Sequence, residues 1–239
     1  MSAQRPARGA ASTRASGDGR GLIRGWVRLW YPVLHPLRGW STVLRGDDLV
    51  AFPLFSALLS YFAGGLLYAA ALRRAVRQGV VVEGAPAGEA AGSLTAAIPF
   101  ITSLAVLVSI LLTGVALWLA ARLLGTNRPY GDWVGLAAYG SLPGWLRLLL
   151  EGARLATGHP PAPVPVLSLG HLLGAMGELG PFAQALLRSL DPFQVWTSLV
   201  LASGFAAYSR RPLGWGVAVA VLLWLVQVVL RGSSAALPT

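Results

Sequence analysis

Residues 49–72 carry no charged side chain, and neither do residues 92–121. Apolar runs of this length constrain a chain more than any short motif, because about 20 such residues in a helix cross the roughly 30 Å hydrocarbon core of a bilayer. In lipid every backbone N–H and C=O must be satisfied within the protein, which favours helices over irregular chain. The composition agrees. Hydrophobic residues make up 55% and charged residues 12% of 239, the mean hydropathy is +0.62, and soluble domains carry about 25% charged residues. The expected fold class is all-α: a polytopic transmembrane helical bundle of about five spans, preceded by an amphipathic helix at the membrane interface.

The spans are expected at about 49–72, 95–121, 133–150, 192–208 and 213–230, in a membrane domain covering 49–231. Asp47 and Asp48 precede the first span, and Arg73 and Arg74 close it, charges that also suit the helix dipole. Asp191-Pro192 combines a capping side chain with a first-turn proline and so opens the fourth. Only residues 209–212 separate the last two spans, which forces a tight antiparallel hairpin. Residues 164–187 are apolar but hold His171, Glu178 and Pro181, and are expected to be re-entrant or interfacial. If they cross instead, the count is six and the C-terminus changes side. Residues 232–239 make a short tail.

Residues 1–21 are rich in Ala, Ser, Gly and Arg, without apolar periodicity, and cannot offset the entropy of ordering. They are expected to be a disordered basic tail and not a signal peptide, since the first long apolar run starts only at Leu49. Residues 22–48 mix Trp26, Trp30, Tyr31 and Trp40 with Arg24, Arg28, Arg38 and Arg45, the composition of a headgroup layer. Pro36 could open a helix with Leu37, Trp40 and Leu44 on one face and Arg38 and Arg45 on the other. Such a helix would lie on the membrane surface with Trp26, Trp30 and Trp40 as interfacial anchors.

The net charge of +10 comes from Arg alone, with no Lys, which fits a GC-rich, bacterial source. Most arginines outside the tail flank apolar runs, as at Arg73, Arg74, Arg77, Arg122, Arg210, Arg211 and Arg231, where lipid headgroups meet them. No basic patch with interleaved aromatics forms a surface for nucleic acid. With five spans, twelve arginines stand on the N-terminal side and six opposite, leaving Arg147 aside. The positive-inside rule then puts the N-terminus in the cytoplasm and the chain in a cell inner membrane, although the basic run after the first span argues the other way.

Chemistry has few carriers. Cysteine is absent, which removes disulfides, thiolate metal sites and thiol nucleophiles. No nucleophile elbow, phosphate loop or paired zinc ligands appear, and His159 stands without companions for a metal site. No enzymatic activity, cofactor or metal is therefore expected. His171 and Glu178 lie seven apart, two turns on one helical face, and are pathway candidates for a proton or solute if the segment enters the membrane. Hydrated in the interface, the same pair has no such role. In the third span Pro143 takes the helical partner from the carbonyl of Tyr139, so a kink is expected there. Gly135, Gly140 and Gly144 would let a neighbouring helix approach closely.

With these residues in hand, the chain resembles a bacterial member of the YIP family, the Ypt-interacting-protein membrane domain, from Pro36 to Arg231. The likeness rests on Pro36 with Trp40 and Leu44 ahead of the first span, the 125–130 linker, the Tyr139 to Pro143 step, and Asp191-Pro192-Phe193 with Trp196. It implies a five-span membrane fold and a cytoplasmic N-terminus. Relatives in eukaryotes are associated with trafficking and with small GTPases, but the Asp-Leu-Tyr-Gly-Pro signature of those relatives is missing here, so GTPase binding is not carried over. The expected function is a non-enzymatic membrane organiser whose partners are the lipid bilayer and another membrane protein or a second copy of the chain. The alternative is a small transporter or channel with a pathway near Glu178 and His171.

Overall fold

The computed structural model describes residues 19–44, 50–78, 89–159, 167–169 and 180–236. Every regular element among them is an α-helix: α1 (Gly19–Leu34), α2 (Trp40–Val43), α3 (Ala51–Arg77), α4 (Glu89–Leu123), α5 (Tyr130–Ala156), α6 (Pro181–Ser189), α7 (Pro192–Ser209) and α8 (Leu213–Ala236). Helices thus occupy all five stretches expected to span. At 1.5 Å per residue α3 and α5 are about 40 Å long, more than a hydrocarbon core requires.

α5 is the axis of the bundle, packed by α1, α3, α4 and α7, while α8 closes the far side against α6 and α7. Residues 133–140 of α5 and 200–206 of α7 are each an unbroken buried run, so these two stretches meet protein on all sides. α4 and α8 do the opposite. Phe100, Ile101, Leu104 and Leu112 on α4, and Leu222, Val226 and Leu230 on α8, are exposed and apolar, a surface suited to lipid.

Hydropathy follows from this placement. Among the described residues three helical stretches are long and apolar enough to cross a membrane, Ala51–Arg77, Thr95–Leu123 and Leu213–Leu230, against five expected. The two that fall short, α5 and α7, are the enclosed pair. A helix surrounded by helices can carry Gly, Ser, Tyr and Trp where a lipid-facing one needs Leu and Val.

Local signals fix the helix ends. Asp191 caps α7 by accepting from the Gln194 N–H at 2.8 Å, with Pro192 in the first turn. α7 stops at Arg210, whose left-handed φ of 54° terminates the helix and turns the chain into α8. The hairpin is tight enough that a Cβ on Gly216 would fall on the carbonyl of Ala202. On α3 the adjacent Gly64 and Gly65 serve two neighbours. A Cβ at Gly65 would lie 2.8 Å from the Pro99 Cα of α4, and one at Gly64 would lie 3.0 Å from Trp145 of α5.

The N-terminal arm departs from expectation. No helix opens at Pro36; helix α1 begins upstream at Gly19, inside the stretch expected to be disordered, and residues 1–18 lie outside the described residues. The carbonyl of His35 accepts from the N–H groups of Arg38 and Gly39, and the turn folds so closely that a Cβ at Gly39 would fall on the Pro32 backbone. Leu29, Val33, Trp40 and Val43 of this arm belong to the core of the bundle. An amphipathic pattern reports apolar residues without saying what covers them, and here these four meet protein while Val27, Leu34 and Leu37 stay exposed. Of residues 164–187, only 167–169 and 180–187 are described, the latter leading into and forming most of α6.

Candidate functional site: a polar cavity in the bundle

The arm, α5 and α7 meet in an aromatic cluster. Trp40, expected as an interfacial anchor, is 3% exposed. Its indole N–H donates to Ser203 Oγ at 2.9 Å, and its ring stands edge-on to Tyr139 and Tyr208, with centroids at 5.4 and 5.7 Å. Trp30 packs on Trp145 at 5.9 Å, and Trp196 donates to the Val33 carbonyl at 2.6 Å. Trp26 is exposed. Of the three expected anchors, one is an internal strut, one packs on α5, and one reaches the surface.

Tyr139 and Pro143 are both buried on α5, and the helix runs through Pro143 without interruption from Tyr130 to Ala156. Gly135 is buried as well. A Cβ at Gly140 would lie 2.5 Å from Leu201 of α7, and one at Gly144 would meet the hydroxyl of Tyr61 on α3. Tyr61 donates that hydroxyl to the Ser141 carbonyl at 2.9 Å. These glycines thus face two different helices from one side of α5.

They also line a cavity of about 350 Å³ walled by α3, α4, α5, α7 and α8. Its polar lining is uncharged: Tyr61, Ser109, Thr113, Ser141, Gln194, Thr197 and Gln227. Gln194 Nε2 faces Gln227 Oε1 at 3.5 Å across the gap, and Ser141 Oγ turns back to the Ala138 carbonyl. Ser109 is exposed, and Thr113, Gln194, Thr197 and Gln227 are half-buried, so the cavity opens through the bundle wall. α4 and α8 touch only sparsely there. The lining offers donors and acceptors without a charge, which suits neutral hydrogen-bonding groups.

An ion pair stands near one end of the cavity. Arg147 Nη1 lies 3.3 Å from Asp191 Oδ2, and the Asp191 side chain is 2% exposed. Arg147, left aside in the arginine count, links α5 to the start of α7. His171 and Glu178, the pathway candidates, lie outside the described residues. Among the described residues no group of three or more His, Asp or Glu is placed to hold a metal.

The polar lining was missed in the sequence, although a signal existed. Ser109 and Thr113 are four apart on the otherwise apolar α4, and Gln194 and Thr197 are three apart on α7, so each pair shares a face. The model for the Yip1 domain family matches residues 30–232, a stretch that takes in the end of α1 and all the cavity-lining helices. No curated protein and no solved structure matches the chain.

Proposed function

The chain belongs to the Yip1 domain family, and from that premise we propose that it is a non-enzymatic membrane organiser that binds a partner within the bilayer at the polar opening between α4 and α8. One observation carries this: Ser109, Thr113, Gln194, Thr197 and Gln227 gather at a half-open cavity in a wall that is otherwise Leu, Val and Phe. A hydroxyl or amide facing lipid finds no hydrogen-bond partner there. A membrane-spanning segment with a polar side chain of its own, from another membrane protein or a second copy of this chain, gains interhelical hydrogen bonds of roughly 0.6 kcal/mol each. Gly140 and Gly144 let α7 and α3 close on α5 beside the cavity, since a Cβ at either would collide with Leu201 or Tyr61. We propose five crossings, by α3, α4, α5, α7 and α8, with the N-terminus and the end bearing Arg122, Arg128, Arg210 and Arg211 in the cytoplasm.

The test exploits the absence of cysteine. Single-cysteine variants Ser109→Cys and Thr113→Cys, treated with a thiol crosslinker in native membranes, are expected to give a discrete adduct whose mass identifies the partner. Gln227→Leu in the same background should weaken it. A thiol that reacts with maleimide but yields no adduct sinks the organiser function.

The cavity also favours a second function, passage of a small neutral solute, because polar groups within helical bundles are where transporters hold substrate. Its sequence candidates, His171 and Glu178, lie outside the described residues. Reconstituted flux lost in Glu178→Gln, with folding retained, points to transport, whereas an organiser tolerates that change.

A further inference from the structure

The 124–129 linker after α4 and the hairpin between α7 and α8 meet at one end of the bundle and enclose a notch of about 410 Å³, lined in part by Asn127, Arg128, Tyr208, Arg210 and Arg211. We propose that this notch binds the phosphate of an anionic phospholipid headgroup.

The notch is built and held. Arg211 Nη2 donates to the Leu124 carbonyl at 2.6 Å and ties the hairpin to the linker, while the Thr126 N–H bonds the Ala121 carbonyl at 2.8 Å. Arg128 pairs with Asp132 at 3.0 Å and lies over the Tyr208 ring at 5.3 Å. Three arginines thus line the notch, and of them Arg128 is the one paired with a carboxylate. The Arg210 side chain makes no ion pair or hydrogen bond among the described residues, and each of the other two keeps further N–H donors. Guanidinium groups match phosphate oxygens in geometry as well as charge.

Two more observations point to an oxygen-bearing anion here. Tyr208 lines the notch and is 1% exposed, and its buried hydroxyl has no hydrogen-bond partner among the described residues; a phosphate oxygen settling into the notch would supply an acceptor. Arg210 adopts a left-handed φ of 54°, a helix-ending position that glycine fills with less strain, yet the chain places a cation there. Location selects the source of the phosphate. The apolar stretch Thr95–Leu123 ends just before the linker and Leu213–Leu230 starts just after Arg211, so the notch sits at headgroup depth, where anionic lipid is concentrated.

The full chain, purified and placed in nanodiscs of phosphatidylcholine with added phosphatidylglycerol, is assayed by native mass spectrometry for retained lipid. Wild type is expected to retain phosphatidylglycerol in preference to phosphatidylcholine. Arg210→Gly, which relieves the backbone and so keeps the fold, should weaken retention by about fivefold. Tyr208→Phe should weaken it too, and Arg74→Gln, exposed at the opposite end, should leave it unchanged. Equal loss in Arg74→Gln, or none in Arg210→Gly, overturns the site. Displacement of the lipid by inorganic phosphate at comparable concentration overturns the headgroup assignment in favour of a free anion.

Discussion

Asp191 serves two partners with one carboxylate. Oδ1 accepts from the Gln194 N–H at 2.8 Å and caps α7, while Oδ2 accepts from Arg147 at 3.3 Å. Their weights differ. An N-cap contributes about 1 kcal/mol, and an ion pair whose cation is 38% exposed contributes less, because Arg147 can turn to water or headgroups. Asp191→Asn keeps the capping oxygen and is expected to be nearly neutral, whereas Asp191→Ala should cost about 1 kcal/mol, as read from unfolding in detergent micelles. Equal losses in the two variants would show that the ion pair dominates. The cap is legible from Asp-Pro before an apolar run, but Arg147 stands 44 positions away and nothing local announces it. Trp40 teaches the same limit: its place among Arg and Pro suits a headgroup layer, and its bond to Ser203, 163 positions on, decides otherwise.

At the scale of helices, close approach is unevenly forgiving. Gly214 and Gly216 sit two positions apart but on opposite sides of the first turn of α8. A Cβ at Gly214 meets nothing within 4 Å among the described residues, while one at Gly216 falls on the Ala202 backbone carbonyl. Gly214→Ala is therefore expected to be neutral or stabilising, by up to about 1 kcal/mol from helix propensity. Gly216→Ala should cost roughly 1–3 kcal/mol, because a backbone atom of α7 must move. Thermal unfolding of both variants in the same micelles checks this, and equal effects would mean that α7 and α8 do not pack as closely as described. Four of the five long helices were legible from uncharged runs of 18 or more residues, and the hairpin from its short link, whereas the run of α5 is broken by Arg147. Which of them lie inside was not. α5 and α7 look merely less apolar in sequence, and it is burial of 133–140 and 200–206 that explains why they tolerate Gly, Ser and Tyr. The cavity was illegible for a related reason, since its polar residues come from five separate helices and converge only in three dimensions.

For the whole molecule, helix direction makes orientation testable. The bond from Arg211 to the Leu124 carbonyl puts the linker after α4 and the α7–α8 hairpin at the same end, and α5 carries the chain from there, over 27 residues, to Gly158 and His159 at the other. If α5 crosses the bilayer, those two ends lie in different compartments, and the arginine excess assigns the hairpin end to the cytoplasm. The cysteine-free chain allows a direct measurement. Arg210→Cys and His159→Cys, each probed with a membrane-impermeant maleimide, should label on opposite faces: Arg210→Cys only in inside-out vesicles, His159→Cys only in intact cells. Reversed labelling would leave the five crossings standing and invert the orientation, showing that the basic run Arg73, Arg74 and Arg77 outweighs the hairpin. Labelling of both from one face would mean that α5, enclosed by protein and less apolar than its neighbours, does not traverse the bilayer. The cavity at its centre would then open to water, and the case for a partner helix in lipid would fall with it.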